Sequence, residues 1–342
     1  MHGGNGMDYH EIAARFPGIS CAYVDAAGCV TTECCGLADR DGHAPVDENT
    51  IFPACSISKF VTAICLMKLQ EQGVIDIGAP VNQYLRQWKL RRSDGTESDA
   101  SIRAVMCHTA GIADGEDAFY GLRQGDPEIT LLDMLEGRTP YNNRPVREEK
   151  PQGTAFEYSD AGYCVLQLLV EEVTGRAFED GARDLVFDPL QLKNTFFASL
   201  RNVAQYEKSA AMATGYDGEG LPIPGKYPYQ PDLAASAMWS TPKELLAVAQ
   251  EFQSALKGES GFLSKASAQE MVTPADRFPW TGLGLLMAGQ DMLTSQGWGE
   301  NGQCMLKMNI RTGAACVVMT NRNPEVDQAS SGVEWLVNRK LK

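Results

Sequence analysis

The sequence predicts a mixed α/β (α+β) fold, in which an antiparallel sheet flanked by helices is built from both ends of the chain and a helical domain is inserted between them. Three observations predict it: strand-like runs lie at residues 18–39, similar runs recur after residue 280, and helical spacing dominates between them. We therefore assign residues 1–80 and 234–342 to a discontinuous sheet domain and residues 81–233 to an inserted, all-helical domain. The 342 residues are enough for both.

The N-terminal part begins with a hairpin and continues into a helix. The segment GISCAYVDAAGCVTTECCGLAD contains two apolar-rich runs separated by Ala-Gly, which is a hairpin signal. A loop, PVDENTIFPACS, leads from this hairpin to the first long helix. From Phe60 to Leu69 apolar residues recur at helical spacing, and Gly73 ends the pattern.

Helical patterns fill the middle of the chain, and strand-like runs return towards its C-terminus. The helical segments are SIRAVMCHTAGI, EITLLDMLEG and AGYCVLQLLVEEVTG. Thr241 and Pro242 provide a cap and first-turn pair for a further helix. The strand-like runs that follow are GLGLLMAG, CMLKMNI and AACVVMTN, with a last helix at SSGVEWLVNRKL. A cleft between the sheet and the inserted helices would be a natural ligand site.

Composition and charge exclude several classes of partner. The formal net charge is −14, whereas nucleic-acid binding requires a basic surface and anionic membranes attract basic segments. The longest apolar runs stay below 18 residues, so no membrane span is expected. We expect a protein that binds neither nucleic acid nor membrane.

The ten cysteines indicate a reducing compartment. They form no C-x-x-C pair, no zinc-type spacing accompanies them, and most lie in apolar runs such as AICLM and AACVVM. They are expected to be small buried hydrophobic residues with free thiols. The N-terminal segment has neither a basic region nor an apolar core of the kind found in secretory signals. We therefore predict a cytoplasmic protein without a structural metal.

Ser56 and Lys59 are candidates for a nucleophile and its base. The chain has no G-x-S-x-G motif, and its histidines stand at positions 2, 10, 43 and 108, so a histidine-dependent serine triad is not supported. Positions three apart share a helix face, and burial would lower the pKa of Lys59 so that a neutral amine could take the serine proton. From these two residues alone, a helix-capping serine with a solvated surface lysine is the favoured interpretation, since four-residue patterns of this kind are common by chance.

Five segments spread over the chain are similar to those of one family. Ser56 to Lys59 resembles the nucleophile box of this family, and EYSDAGY resembles its tyrosine box. Three further segments are similar to motifs of the same family: MCHTAGI to HTSGL, VFDPLQLKNTFF to PLGM..T, and MWSTPKELL to ST..DL. The chain thus resembles the penicillin-recognising serine hydrolases, in particular the class C β-lactamase-like branch, which includes D-amino-acid peptidases, family VIII esterases and acyltransferases. The resemblance implies a β-lactamase/transpeptidase-like fold and no cofactor.

The resemblance also implies roles for individual residues. Ser56 would be the acylated nucleophile, Lys59 a base or a proton-holding group, and Tyr158 the partner acid and base. A phenol beside the ammonium group of Lys59 would have a lowered pKa, and the two groups would titrate as a coupled pair. Asp160 stands where the family more often has asparagine, and its charge would favour a protonated Lys59. His108 is expected to hold a loop rather than to react.

The third box of the family has no basic residue here. Two registers are open, with either Gly297-Trp298-Gly299 or Trp298-Gly299-Glu300 in the box. Since neither begins with lysine or histidine, a substrate carboxylate would lose a charge-assisted hydrogen bond. The oxyanion would be held by the backbone N–H of Ser56 and that of Glu300, or alternatively of Asn301. Asp160 and residues 297–299 are the expected substrate-binding positions.

These observations favour a serine hydrolase that acts through an acyl-enzyme on a small ester, amide or peptide. Alternatives within the same chemistry are a β-lactamase, a D-amino-acid peptidase and an acyltransferase. A penicillin-binding receptor with little turnover is the alternative from another class. The acyl and leaving groups are expected to be read by the loops Asp114 to Asp126 and Arg138 to Gln152.

Overall fold

The structure of the protein is a computed structural model that describes residues 9–123, 125–209 and 212–342. The strands are β1 Gly18–Val24, β2 Val30–Asp39, β3 Ala44–Pro45, β4 Phe52–Pro53, β5 Arg91–Arg92, β6 Arg147–Glu148, β7 Phe196–Phe197, β8 Met238–Ser240, β9 Leu286–Met287, β10 Met292–Gly299, β11 Gly302–Asn309 and β12 Ala315–Thr320. The α-helices are α1 Tyr9–Ala13, α2 Ser58–Glu71, α3 Ile102–Met106, α4 Leu131–Leu135, α5 Asp160–Thr174, α6 Phe178–Ala182, α7 Val203–Ser209, α8 Leu233–Ser236, α9 Pro242–Lys257, α10 Lys265–Met271, α11 Gln328–Ser331 and α12 Val333–Lys340.

The main sheet joins the two ends of the chain. Its seven strands have the order β3-β2-β1-β12-β11-β10-β9. β1 and β2 form the expected hairpin, and β1 also pairs antiparallel with β12, with Ile19 opposite Thr320. The predicted fold class, an antiparallel sheet built from both ends and flanked by helices, is therefore confirmed.

Helices cover both faces of this sheet. On one face α2 and α9 meet at Phe60 and Phe252, whose ring centroids are 5.3 Å apart, in the same apolar core as Leu306 of β11. On the other face α1 and α12 enclose a smaller core around Ile12 and Leu336. Burial of these apolar side chains stabilises the sheet at about 25 cal/mol per Å² removed from water. β10 lies near the edge of the sheet, beside the start of α2.

Helices are the main regular elements in the middle of the chain, but the expectation of an all-helical domain was wrong, because this part also contains the short strands β5, β6 and β7. It contains α3 to α8, a short π-helical turn at Arg183–Phe187 and the two-residue strand pair β5–β6. β7 pairs with β8 in a separate small sheet. The boundaries at residues 80/81 and 233/234 stay a prediction, because one continuous apolar core runs through both parts. In the described ranges, no helix combines the length and apolar character that crossing a membrane requires.

Ser56 does not stand in the first turn of α2, as the helical spacing suggested. It lies in a 3-10 turn, Cys55–Ile57, directly before the helix. The turn is fixed by Cys55, whose φ of 46° is unusual for a residue other than glycine, and by Ser58, whose hydroxyl donates to the Cys55 carbonyl at 2.6 Å. The expectation of a simple helix start was therefore wrong in detail, since the chain makes a tighter turn that holds Ser56 at its tip.

Candidate active site

A cavity of about 660 Å³ opens where α2, α5 and β10 meet. Six of the residues expected at the site line it, namely Ser56, Lys59, Tyr158, Asp160, Gly297 and Trp298. Gly299 and Glu300 lie beyond its lining, at the end of β10 and in the turn to β11. The structure thus brings together side chains that are a hundred residues or more apart in the sequence.

Lys59 is buried at the bottom of the cavity, with 2% of its surface exposed. Its Nζ donates to the Ser56 hydroxyl at 3.1 Å and to the Ala235 carbonyl at 2.9 Å. It also forms an ion pair with Asp160 Oδ1 at 2.6 Å. A helix-capping serine with a solvated lysine, the alternative open from the sequence, does not describe this geometry, because the ammonium group has left bulk water and contacts the serine.

The environment raises the pKa of Lys59, against the expectation from burial alone. Burial is the largest influence and lowers this pKa, but the charge of Asp160, the charge of the Tyr158 phenolate and hydrogen bonds to both raise it by more in sum. Lys59 is therefore an ammonium ion at neutral pH. The neutral amine expected from burial was wrong, whereas the expectation that the charge of Asp160 favours a protonated Lys59 agrees with the direct ion pair between the two.

Tyr158 also departs from the expected titration. Burial of the Tyr158 hydroxyl is the largest influence on its pKa and raises it, and the charge of Asp160 raises it further. The charge of Lys59 and hydrogen bonds with Ser56 and Lys59 lower this pKa by less in sum, so that it lies above the ordinary value of a phenol. The residue as a whole is 45% exposed, but its hydroxyl end reaches the fully enclosed Lys59. The predicted lowering was wrong because desolvation outweighs the nearby cation.

His108 positions the tyrosine. Its ring stacks on Tyr158 with centroids 4.4 Å apart and an interplanar angle of 29°. Its Nδ1 accepts the backbone N–H of Ser159 at 3.1 Å, and its carbonyl accepts that of Glu157 at 2.9 Å. Burial and the charge of Lys59 lower the pKa of His108 to about 3, so the imidazole is neutral. These contacts hold the segment that carries Tyr158.

Two carboxyl groups near the site were missed by sequence reasoning, the partly buried Asp114 and the fully buried Asp232. Asp114 accepts hydrogen bonds from the Ser159 hydroxyl at 2.9 Å and from the backbone N–H of Asp160 at 2.8 Å, and so fixes the N-terminus of α5. Asp232 accepts the Tyr141 hydroxyl at 2.7 Å, and burial, then Asp160, raise its pKa to about 7. Neither aspartate lies in a recognisable motif, since only tertiary structure brings them to α5 and Lys59.

Strand pairing shows which backbone N–H groups of β10 face the cavity. The Met292 carbonyl accepts the Ala288 N–H on the β9 side, whereas the Asp291 carbonyl accepts the Ile310 N–H on the β11 side. In an antiparallel pair this direction alternates, so Gln296 and Trp298 turn their N–H groups away from β11. β9 pairs only with residues 293 and 294, which leaves the edge at residues 296–298 facing the cavity.

The protein shares its fold and family with known serine hydrolases. The model of the family described as beta-lactamase matches residues 6–336. Esterase EstB of Burkholderia gladioli is 28% identical over 195 residues, 55% of this chain and 47% of that esterase. The chain thus spans about half the length of this curated relative.

Two solved structures show the same fold. The octameric penicillin-binding protein homologue from Pyrococcus abyssi has a TM-score of 0.77 at 22% identity and covers 98% of this chain and 78% of its own. D-amino acid amidase from Ochrobactrum anthropi SV3 has a TM-score of 0.77 at 21% identity and covers 97% of this chain and 94% of its own. Since the family match spans nearly the whole chain and the fold agrees, the protein belongs to the beta-lactamase family, with a β-lactamase/transpeptidase-like fold.

Proposed function

We propose that the protein is a serine hydrolase that cleaves an ester or small amide through an acyl-enzyme on Ser56. One observation carries the proposal. The Ser56 hydroxyl lies in a 660 Å³ cavity, 3.1 Å from the buried Lys59 ammonium group, and Lys59 Nζ lies 4.9 Å from the centroid of the Tyr158 ring, which lines the same cavity. Nucleophile, cation and phenol are thus in mutual reach, which is what serine activation without histidine requires.

In the proposed reaction, the Lys59–Tyr158 pair first loses one proton and reacts as a Tyr158 phenolate beside the Lys59 ammonium group. The phenolate takes the proton of Ser56 as its oxygen attacks the carbonyl carbon. Tyr158 then delivers this proton to the leaving group as the bond to it breaks, which leaves acylated Ser56 and a phenolate. Water repeats the sequence in deacylation. Lys59 keeps its proton throughout and stabilises the phenolate.

The oxyanion of the tetrahedral intermediate is best served by the N–H groups of Ser56 and Trp298. The sequence suggested the backbone N–H of Glu300 as the second donor, but Glu300 lies in the β10–β11 turn, beyond the lining of the cavity. The Trp298 N–H lies on the unpaired edge of β10 that faces the cavity, two residues earlier. This revision places Ser295-Gln296-Gly297 in the third family box. Because these residues carry no charge, the box still lacks a cation.

The charges of the cavity favour substrates without a carboxylate. Its described lining contains the carboxyl groups of Asp114, Asp160 and Glu325, and one cation, Lys59. That cation already contacts Asp160 and a backbone carbonyl. A penicillin carboxylate would therefore meet like charges and no unengaged cation. Neutral esters, or amides with a protonated amine, fit the site better. The amidase among the structural neighbours is compatible with this substrate class.

The test compares three reagents on the full chain. We expect multiple turnovers of p-nitrophenyl butyrate and labelling of the Ser56 peptide by a fluorophosphonate. The kcat/KM for nitrocefin should be at least about 100-fold lower than for the butyrate ester, because its carboxylate lacks a charge-assisted contact and is repelled by the carboxyl groups of the cavity. One equivalent of p-nitrophenol without further turnover would instead support a receptor that is only acylated. Efficient nitrocefin hydrolysis would contradict the substrate class, and labelling at another serine would contradict the site.

Asp160 sets the pH range in which the enzyme works. Its charge raises the pKa of both Lys59 and Tyr158. Since the reactive form has lost a proton, acylation should increase with pH through the raised pKa. Asp160→Asn removes this charge, so the rise should move to lower pH, with activity gained at pH 7 relative to pH 10. The kcat/KM profile from pH 5 to 11 measures it, and a shift to higher pH would contradict the mechanism.

A further inference from the structure

Tyr120 occupies an unusual position at the mouth of the cavity. It is 64% exposed, yet it lines the cavity that holds Ser56. The residues on either side of it are fixed, because the Phe119 N–H donates to the Tyr141 carbonyl at 2.7 Å and the Gly121 N–H donates to Glu300 Oε1 at 2.8 Å. A large apolar ring is thus held in water by an anchored backbone.

The backbone around Tyr120 needs this support. Asp117 and Phe119 have φ values of 58° and 66°, in the left-handed region that residues other than glycine seldom adopt. The Phe119 ring is buried against Tyr141, with centroids 5.5 Å apart. Such a conformation persists only where surrounding contacts hold it, and it places the exposed Tyr120 ring on the cavity side of the loop.

Glu300 links this loop to the strand that carries Trp298. It lies in the β10–β11 turn, two residues after Trp298, and its second oxygen pairs with Arg123 Nη2 at 2.8 Å. The two side chains are about three-quarters and two-thirds buried, so the pair is better shielded than a surface ion pair. One carboxylate therefore holds two points of the loop, on both sides of Leu122, next to Tyr120.

Besides Tyr158, two exposed aromatic rings contribute to the same cavity. Trp298 is 48% exposed and comes from the strand, whereas Tyr120 comes from the loop. Aromatic rings of this kind bind planar groups through their faces and edges, and a bound ring would cover apolar surface that is now in water. Their spacing depends on the Glu300 contacts, since these join the two elements that carry them.

We infer that Tyr120 contacts the substrate and selects acyl groups with a planar aromatic ring, and that Glu300 is a positioning residue that holds it there. The inference rests on the proposed function, because it specifies the substrate class of the same site. It also gives the Glu300 side chain a role that differs from the backbone role suggested by the sequence.

The experiment compares two esters with the same leaving group, ethyl phenylacetate with its planar aromatic ring and ethyl cyclohexylacetate with its saturated ring. Hydrolysis is measured by pH-stat titration, and each rate is divided by that of alkaline hydrolysis of the same ester. We expect the protein to prefer the phenyl ester in kcat/KM by about 3- to 10-fold, the range that one aromatic contact supplies. Tyr120→Ala and Glu300→Ala should each bring the ratio to about one, mainly through KM. Glu300→Gln should be intermediate, because an amide oxygen can still accept the Gly121 N–H.

The double variant distinguishes a positioning role from a general structural one. If Glu300 acts through Tyr120, the ratio in Tyr120→Ala/Glu300→Ala equals that of either single variant, so the effects are not additive. Glu48→Gln is the matched control, since it breaks the exposed Glu48–Lys243 pair, 3.0 Å long, whose residues do not line the cavity. It should leave the ratio unchanged.

Three outcomes would overturn the inference. They are an unchanged ratio in Tyr120→Ala, additive effects in the double variant, and a Glu300→Ala protein that loses activity on both esters equally. Failure of the proposed function is recognised separately, because the wild-type protein would then hydrolyse neither ester and a fluorophosphonate would not label Ser56.

Discussion

Ser56→Ala is expected to lower kcat/KM for p-nitrophenyl butyrate by at least about 10³-fold and to abolish labelling by a fluorophosphonate. The alanine keeps the 3-10 turn but removes the oxygen that lies 3.1 Å from Lys59 Nζ. No acyl-enzyme can form, and only binding and oxyanion contacts remain to accelerate hydrolysis. Steady-state kinetics and intact-protein mass spectrometry measure both effects.

Ser58→Ala is the matched control, two residues along the chain at the first position of α2. The Ser58 hydroxyl donates to the Cys55 carbonyl and accepts the Met238 N–H at 3.0 Å, both buried. Its loss should reduce the free energy of unfolding by about 1–3 kcal/mol, because the N–H is left without its acceptor. Labelling should persist. If Ser56→Ala retains labelling, or if peptide mapping of the wild type finds the adduct on Ser58, the nucleophile has been assigned to the wrong residue.

Gly297→Ala is expected to have the second largest effect, on both stability and activity. A Cβ atom at this position would lie 2.2 Å from Cys304 Sγ, 2.5 Å from the Ala54 carbonyl and 2.9 Å from Cys55 Cβ. Backbone atoms cannot give way as a flexible side chain can, so β10 must move away from the 3-10 turn. We expect a loss of about 1–3 kcal/mol in unfolding free energy and about 100-fold in kcat.

Gly261→Ala provides the control for this prediction. Apart from its two chain neighbours, no atom of the described residues lies within 4 Å of where a Cβ would stand, and its φ is outside the left-handed region. Urea unfolding should give the same midpoint for this variant as for the wild type, together with full activity. A Gly297→Ala protein that is equally unaffected would show that β10 does not need its close contact with Cys55, and would remove the basis for the Trp298 N–H as an oxyanion donor.

The sequence predicts those parts of the site whose residues lie close together along the chain. Ser56 and Lys59 stand in one turn, and EYSDAGY carries Tyr158 and Asp160 together. The register of β10 could not be read in this way, because the alternation of Gln296, Gly297 and Trp298 has no meaning until β9 and β11 pair with the strand. Only then do the N–H directions become fixed, and they favour Trp298 over Glu300.

The titration behaviour could be predicted only in part from residue types. Burial lowers the pKa of Lys59, as expected, and the predicted influence of Asp160, which lies 2.6 Å away, outweighs burial only together with that of Tyr158. The fold, in contrast, was accessible, since alternating strands at both ends and helical spacing between them leave few arrangements in which each apolar face is buried. The contacts of Asp114 and Glu300 depend on loops and carry no periodic signal.

The pairing of β1 with β12 has a consequence for how the site forms. Cys21 and Cys316, on these neighbouring strands, are 295 residues apart in sequence, and the contact between Ala54 and Cys304 beside the nucleophile spans 250 residues. Closing such long loops costs chain entropy before any contact is gained, so chains with distant pairings fold slowly. The turn that carries Ser56 lies early in the sequence, and β10 can pack against it only when the C-terminal strands have joined the sheet. We therefore expect hydrolytic activity to be regained only when folding is complete.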